Sequence, residues 1–259
     1  FNLRNLYDGG ITIAEAAVNV FNPGGGIDPK ESIRQVEGLL GVKFGEDLFG
    51  SFGDMFVSYS SPAEGPLGFG GVYLFKVKDE KKLADTLEGL FKAIPALPFA
   101  EIGFKKRAYR GGEVLTLKVT TPQGEFPIAN MAIHKGWFLL ASYPQSVYGF
   151  ILRSNGELPT WKADAKLTKA LAAFPKEFTA IAISDPRPSV QTVLSFAPTL
   201  LTVANSVLPN VLPGAPMFDV NVIPHAQDAV RHLFPNITVT TDDGSKVRAE
   251  SRASLALPF

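Results

Sequence analysis

Three histidines and no cysteine narrow the chemistry open to this chain. Without cysteine there is no disulfide, thiolate metal site, iron–sulfur ligation or thiol nucleophile. His225, Asp228 and His232 stand at i, i+3 and i+7. On a helix they would share a face, yet i to i+7 spans about 10.5 Å along the axis, too far for both imidazoles to bind one metal directly. Asp228 and His232 alone, at i and i+4, make a two-ligand half-site that needs outside ligands. The plainer reading is a helix-surface ion pair with His232 near the C-terminal end of the dipole. These three residues are the candidates for any metal or hydrolytic chemistry. His134 falls in a predicted hairpin with no Ser or Asp signalled as its partner, and a G-x-S-x-G elbow is missing. Glu46-Asp47 and Asp242-Asp243 occupy turn or helix-start positions, where carboxylates serve structure. The residues therefore assign no catalytic group, no metal ligand set and no cofactor.

The glycine and cation clusters read in the same plain way. Gly24-Gly25-Gly26 lacks a following Lys-Ser/Thr and follows no clear strand, so it is a connector and not a phosphate loop. Gly68, Gly70 and Gly71 precede a strand and open no helix, so the dinucleotide fingerprint is absent. Lys105, Lys106, Arg107 and Arg110 surround Tyr109, a pattern that can hold single-stranded nucleic acid. The 25 basic and 25 acidic residues cancel, which favours an edge strand whose cations block further pairing, with no nucleic-acid partner.

The elements that would position these groups are legible. The chain has 259 residues, 46% hydrophobic and 19% charged, enough for one large domain or two small ones and unlike a disordered chain. Residues 10–21 read as a helix. Asp28, Pro29 and Glu31 start another, whose stripe is Ile33, Val36, Leu39 and Leu40. A helical turn follows near Glu46 to Phe49, then strands over 54–60 and 70–78. Asp79 caps a helix with Leu83, Leu87, Leu90, Phe91 and Ile94 on one face. Gly111-Gly112 and Lys135-Gly136 mark hairpins. Residues 144–153 and 164–174 read as helices, the second capped by Asp164. The linker RSNGELPTWK between them is the candidate boundary: 1–155 is a helical lead-in followed by an α+β sheet domain, and 156–259 is a second α+β half, the two packed together or continuous. FTAIAIS (178–184) reads as a buried strand, and Asp243-Gly244 as a closing hairpin. GVYLFKVKDEKKLADTL and TAIAISDPRPSVQTVL echo each other: strand, Asp, base, helix, with Thr86-Leu87 and Thr192-Val193 equally spaced from their Asp. The expected fold is α+β, antiparallel sheet with helices packed mainly on one face and a weak internal strand–helix duplication.

One segment stands apart. From Pro188 to Met217 there is no charged residue. Val190, Val193, Leu194, Ala197, Leu200, Leu201, Ala204, Val207 and Leu208 follow helical spacing, with Pro198 expected to kink or break the helix and an irregular stretch from Pro209 to Pro224. A membrane span is long enough but interrupted, and is not favoured. Two readings stay open: a core helix wrapped by the sheet, or a surface that meets a partner chain, another domain or lipid. The candidate contact residues are Val193, Leu194, Ala197, Leu200, Leu201, Ala204, Leu208 and Met217.

Longer motifs carry a resemblance. LRNLYDGGITIAEAAVN, FGEDLFGSFGDMFVSYSSPAEGP, VYLFKVKDEKKLADTL, HKGWFLLASYPQSV and HLFPNITVTTDDGSKVRAESRASL together resemble a planctomycete-type family of secreted or envelope-associated proteins of unknown function. The resemblance covers nearly the whole chain. It implies an extracytoplasmic location (periplasm, envelope or secreted) and that this chain is a C-terminal portion of a longer, exported precursor, as its cut-looking ends also lead one to expect. It transfers no catalytic or binding residue. The functional expectation is a non-enzymatic structural or interaction module that assembles with itself or with envelope partners. The alternatives are an apolar-ligand (lipid) binding protein, its cavity closed by the sheet and the 190–208 helix, and a hydrolase or metal-dependent enzyme.

Overall fold

The computed structural model describes residues 2–21, 28–60, 64, 70–93, 101–212, 214 and 216–253. Gly24-Gly25-Gly26, Gly68, Ile94 and the terminal SLALPF lie outside them. The chain divides into two compact units, Phe1–Thr160 and Trp161–Phe259. The division falls within the RSNGELPTWK linker, five residues beyond the expected break.

The first unit opens with α1 (Leu3–Phe21) and α2 (Pro29–Leu40). Asp28 accepts hydrogen bonds from the Lys30 and Glu31 amides, Pro29 opens α2, and Gly41 ends it in the left-handed region, the sequence signature of a capped helix. A π-helical turn (Phe44–Leu48) and a 3-10 turn (Phe49–Ser51) lead into β1 (Phe52–Ser60) and β2 (Gly71–Val77). Next come α3 (Glu80–Ala93), β3 (Glu101–Tyr109), β4 (Gly112–Thr121), β5 (Gly124–His134), β6 (Trp137–Ala141) and α4 (Pro144–Ser154). The six strands form one antiparallel sheet in the order β1-β2-β6-β5-β4-β3.

Strand alternation sends successive side chains to opposite faces, and both faces are buried. On one, Val72, Leu74, Val114, Ala132, Leu139 and Ala141 meet Val147 and Ile151 of α4. On the other, Phe52, Val77, Met131 and Phe138 meet Leu83 and Leu87 of α3, with Leu3 of α1 and Leu48 of the π turn beside them. Among the described residues most helical matter thus lies on the α3 face, and α4 is the one helix on the reverse. Two hairpins use two-residue turns with both residues at positive φ, Arg110-Gly111 (46° and 79°) and Lys135-Gly136 (49° and 79°), as type I′ geometry demands. The first turn sits one residue earlier than the Gly111-Gly112 signal, because Gly112 already pairs with Tyr109.

The second unit contains α5 (Ala165–Leu171), β7 (Ala180–Ser184), α6 (Pro186–Val211), α7 (Ala226–Val230), β8 (Asn236–Asp242) and β9 (Val247–Arg252). Its sheet runs β7-β8-β9, antiparallel. Asp164 caps α5 through the Leu167 amide. Leu167 then packs on Ile237 and Val239 of β8, with Ala163, Ala170, Leu171 and Phe174 around them. FTAIAIS is not a buried strand: β7 is exposed at every position. It is an edge strand, and the small core lies over β8. The strand–Asp–helix unit recurs at β2–α3 and β7–α6, but β2 lies between β1 and β6 while β7 pairs only with β8 among the described residues.

Candidate functional site

The site residues lie on α6 and on the segment after it. Asp185 leaves β7 in extended conformation and caps the helix, accepting from the Arg187 amide at 3.0 Å. The Arg187 guanidinium clamps the same carboxylate at 2.8 and 2.6 Å. These bonds hold the Asp185 carboxyl below the usual carboxylate range, against a weaker opposing effect of burial. Pro186 and Pro188 fall in the first turn, where the missing amide costs nothing.

Pro198 neither breaks the helix nor does Pro209 end it. α6 is one element of 26 residues through both. Each proline leaves one carbonyl, of Leu194 and Asn205, without its usual amide donor. Three polar side chains fold back on the helix backbone. Thr202 Oγ donates to Pro198 O at 2.8 Å, Ser206 Oγ to Val203 O at 2.7 Å, and Asn210 Nδ2 to Ser206 O at 3.1 Å. Asn205 is the exception. Its Oδ1 accepts from the Phe218 amide and its Nδ2 donates to the Phe218 carbonyl, both at 2.8 Å. That pair ties the chain after the helix back along it, before Asp219 caps a 3-10 turn at Val220–Val222.

No residue of α6 is buried, so it is not a core helix. Its apolar side chains form two adjacent stripes. Leu194, Ala197, Leu201, Ala204 and Leu208 are half-buried. Val193, Phe196, Leu200, Val203, Val207 and Val211 are each at least 50% exposed, and Met217 is 72% exposed. The eight nominated residues are thus split: five on the half-covered stripe, Val193 and Leu200 on the open one, Met217 beyond the helix. Phe196, Val203 and Val211 were missed, and Val207 was seen only as part of the helical pattern. Their signal was present as alternating steps of three and four, but a helix apolar over about half its circumference hides one stripe inside the other. Among the described residues α6 alone is long and apolar enough to cross a membrane, by length and composition.

The remaining chemistry-bearing residues are not brought together. His225 precedes α7, and its side chain makes no cap bond. Asp228 pairs with Arg231 at 3.5 Å, and His232 Nε2 accepts from Arg231 Nε at 3.0 Å. α7 ends at Val230, so the three do not share a helix face. No group of three His, Cys, Asp or Glu among the described residues could hold a metal ion. His134 ends β5, buried, on the face covered by α4. The cations of β3 lie on the sheet edge: Lys106 pairs with Glu88 and Glu113, and Arg107 lies over the Tyr148 ring. Two open clefts, about 360 and 230 Å³, lie at the end of the three-stranded sheet (Phe178, Thr241, Asp243, Arg248) and between α1, α2 and the π turn (Tyr7, Ile33, Glu37, Lys43). Neither is lined by α6.

Compared with family models, curated proteins and solved structures, the chain matches none.

Proposed function

We propose that the chain is a non-enzymatic interaction module that works outside the cytoplasm and docks a protein partner through the apolar side of α6. One observation carries this reading: a helix of 26 residues with no buried residue and no charge after Arg187 presents six large apolar side chains to solvent. An isolated exposed Leu needs no explanation, but a continuous apolar strip along one element does. The mechanism is burial of that strip, with Thr202 and Ser206 outside it bonded to the helix's own backbone. The extracytoplasmic placement is supported by the family resemblance of the long motifs.

The test is Leu200→Asp, at a position 65% exposed. It should keep the wild-type circular dichroism and melting temperature and lose any association seen by light scattering across a concentration series. An unfolded Leu200→Asp chain, or one that keeps an association that wild type shows, overturns the reading.

A further inference from the structure

The open stripe is narrower and more regular than the helix as a whole. Val193, Phe196, Leu200, Val203 and Val207 alternate steps of three and four residues, and Val211 continues the row. This is the spacing of a seam between two helices lying side by side. An interfacial helix presents a broad apolar arc with Lys and Arg on its polar face. Here the neighbouring stripe is half covered, and the polar arc carries no cation beyond Arg187. A helix seam fits the row better than a lipid surface does.

We infer that the occupant is the same helix of a second copy of the chain, running antiparallel about a twofold axis near Thr202. This rests on the reading of α6 as the docking element. The flanks carry no charges that would repel an identical helix or select a different one. Antiparallel dipoles attract, and parallel ones oppose each other. An antiparallel pair sets Phe196 against the valine end of its partner, large against small, where a parallel pair would stack Phe196 on Phe196. Pro198 and Pro209 stand 11 residues apart, about three turns, on the side away from the stripe, so neither ring enters the seam. The six side chains expose on the order of 600 Å² of surface per copy, so a pair reaches the lower end of stable interface sizes, about 1,200 Å². The arrangement is isologous and closes at two copies.

The absence of cysteine makes the test free of background. Val193→Cys, Val203→Cys and Val211→Cys are exposed sites that should fold normally. Under mild oxidation Val203→Cys, next to the axis, should give a disulfide-linked dimer at least tenfold faster than the same variant carrying Leu200→Asp. Val193→Cys alone should not, because its copy is roughly 27 Å away along the seam. Mixed with Val211→Cys it should cross-link. Self-cross-linking at all three sites, a parallel pair, overturns the antiparallel dimer and leaves the docking reading standing. A monomer whose Val203→Cys reacts freely with maleimide and ignores phosphatidylcholine vesicles overturns the second copy as partner, again without touching that reading. Two outcomes overturn both: a monomer that sediments with those vesicles, and a monomer whose Val203→Cys is shielded from maleimide.

Discussion

Tyr59 shows at the residue scale how burial sets a titration. Its hydroxyl is buried on the α4 side of β1, near the ion pair between Glu64 and Arg153. Burial pushes the phenol up to about 12, the Glu64 carboxylate adds to the effect, and the Arg153 guanidinium opposes it. The folded value lies above the ordinary 10, so the folded state binds the proton more tightly than the unfolded chain. Its contribution to stability is complete below pH 10 and is lost as pH rises towards 12. Urea midpoints measured from pH 9 to 11.5 should fall on the alkaline side in wild type and fall less steeply in Tyr59→Phe. Equal slopes would show that the hydroxyl is not buried. Arg110 and Lys135 teach a different lesson at this scale. Both take positive φ, which Lys135-Gly136 announces through the glycine at its second turn position. At Arg110 the double glycine blurs the register by one residue.

At the scale of elements, caps and stripes were readable where one helix face meets one sheet face. Asp28, Asp79, Asp164 and Asp185 each accept an amide at a helix start, and Leu83 and Leu87 are buried as their spacing demands. The sequence failed where context overrides composition. FTAIAIS has the apolar run of a central strand, but burial depends on how many neighbours a strand has, and β7 has one among the described residues. Pro198 looked like a helix breaker, yet a single lost amide is tolerated inside so long an element. The open stripe was half legible, because the spacing shows which residues share a face and not which face stays uncovered. Asp185 joins β7 to α6, so Asp185→Ala should cost about 1 kcal/mol through loss of the cap. The pH dependence has the acid sign: the carboxyl is held low by Arg187, so its contribution is present above the ordinary carboxylate range and disappears as pH falls through the lowered value. Melting temperatures of wild type and Asp185→Ala should differ at pH 7 and converge near pH 2. A constant difference would mean that the ion pair and cap do not form.

For the whole molecule, the two units differ in what holds them. The first has two clusters of buried side chains, one on each face of its sheet. In the second, among the described residues, only Leu167, Ile237 and Val239 form such a cluster, while its longest helix has no fully buried residue. A unit with so small a core gains disproportionately from covering α6, and binding of a second copy to the folded state adds stability by mass action. The second unit should therefore melt at a temperature that depends on protein concentration, rising roughly 3 °C for each tenfold increase, while the first unit melts at a fixed temperature. Calorimetry on the complete chain over two decades of concentration reads both transitions at once. Leu200→Asp should pin the moving transition at its dilute-limit temperature and leave the fixed one alone. If both transitions stay fixed in wild type, the second unit is stable without a partner, and the exposed stripe of α6 contributes nothing to holding it together.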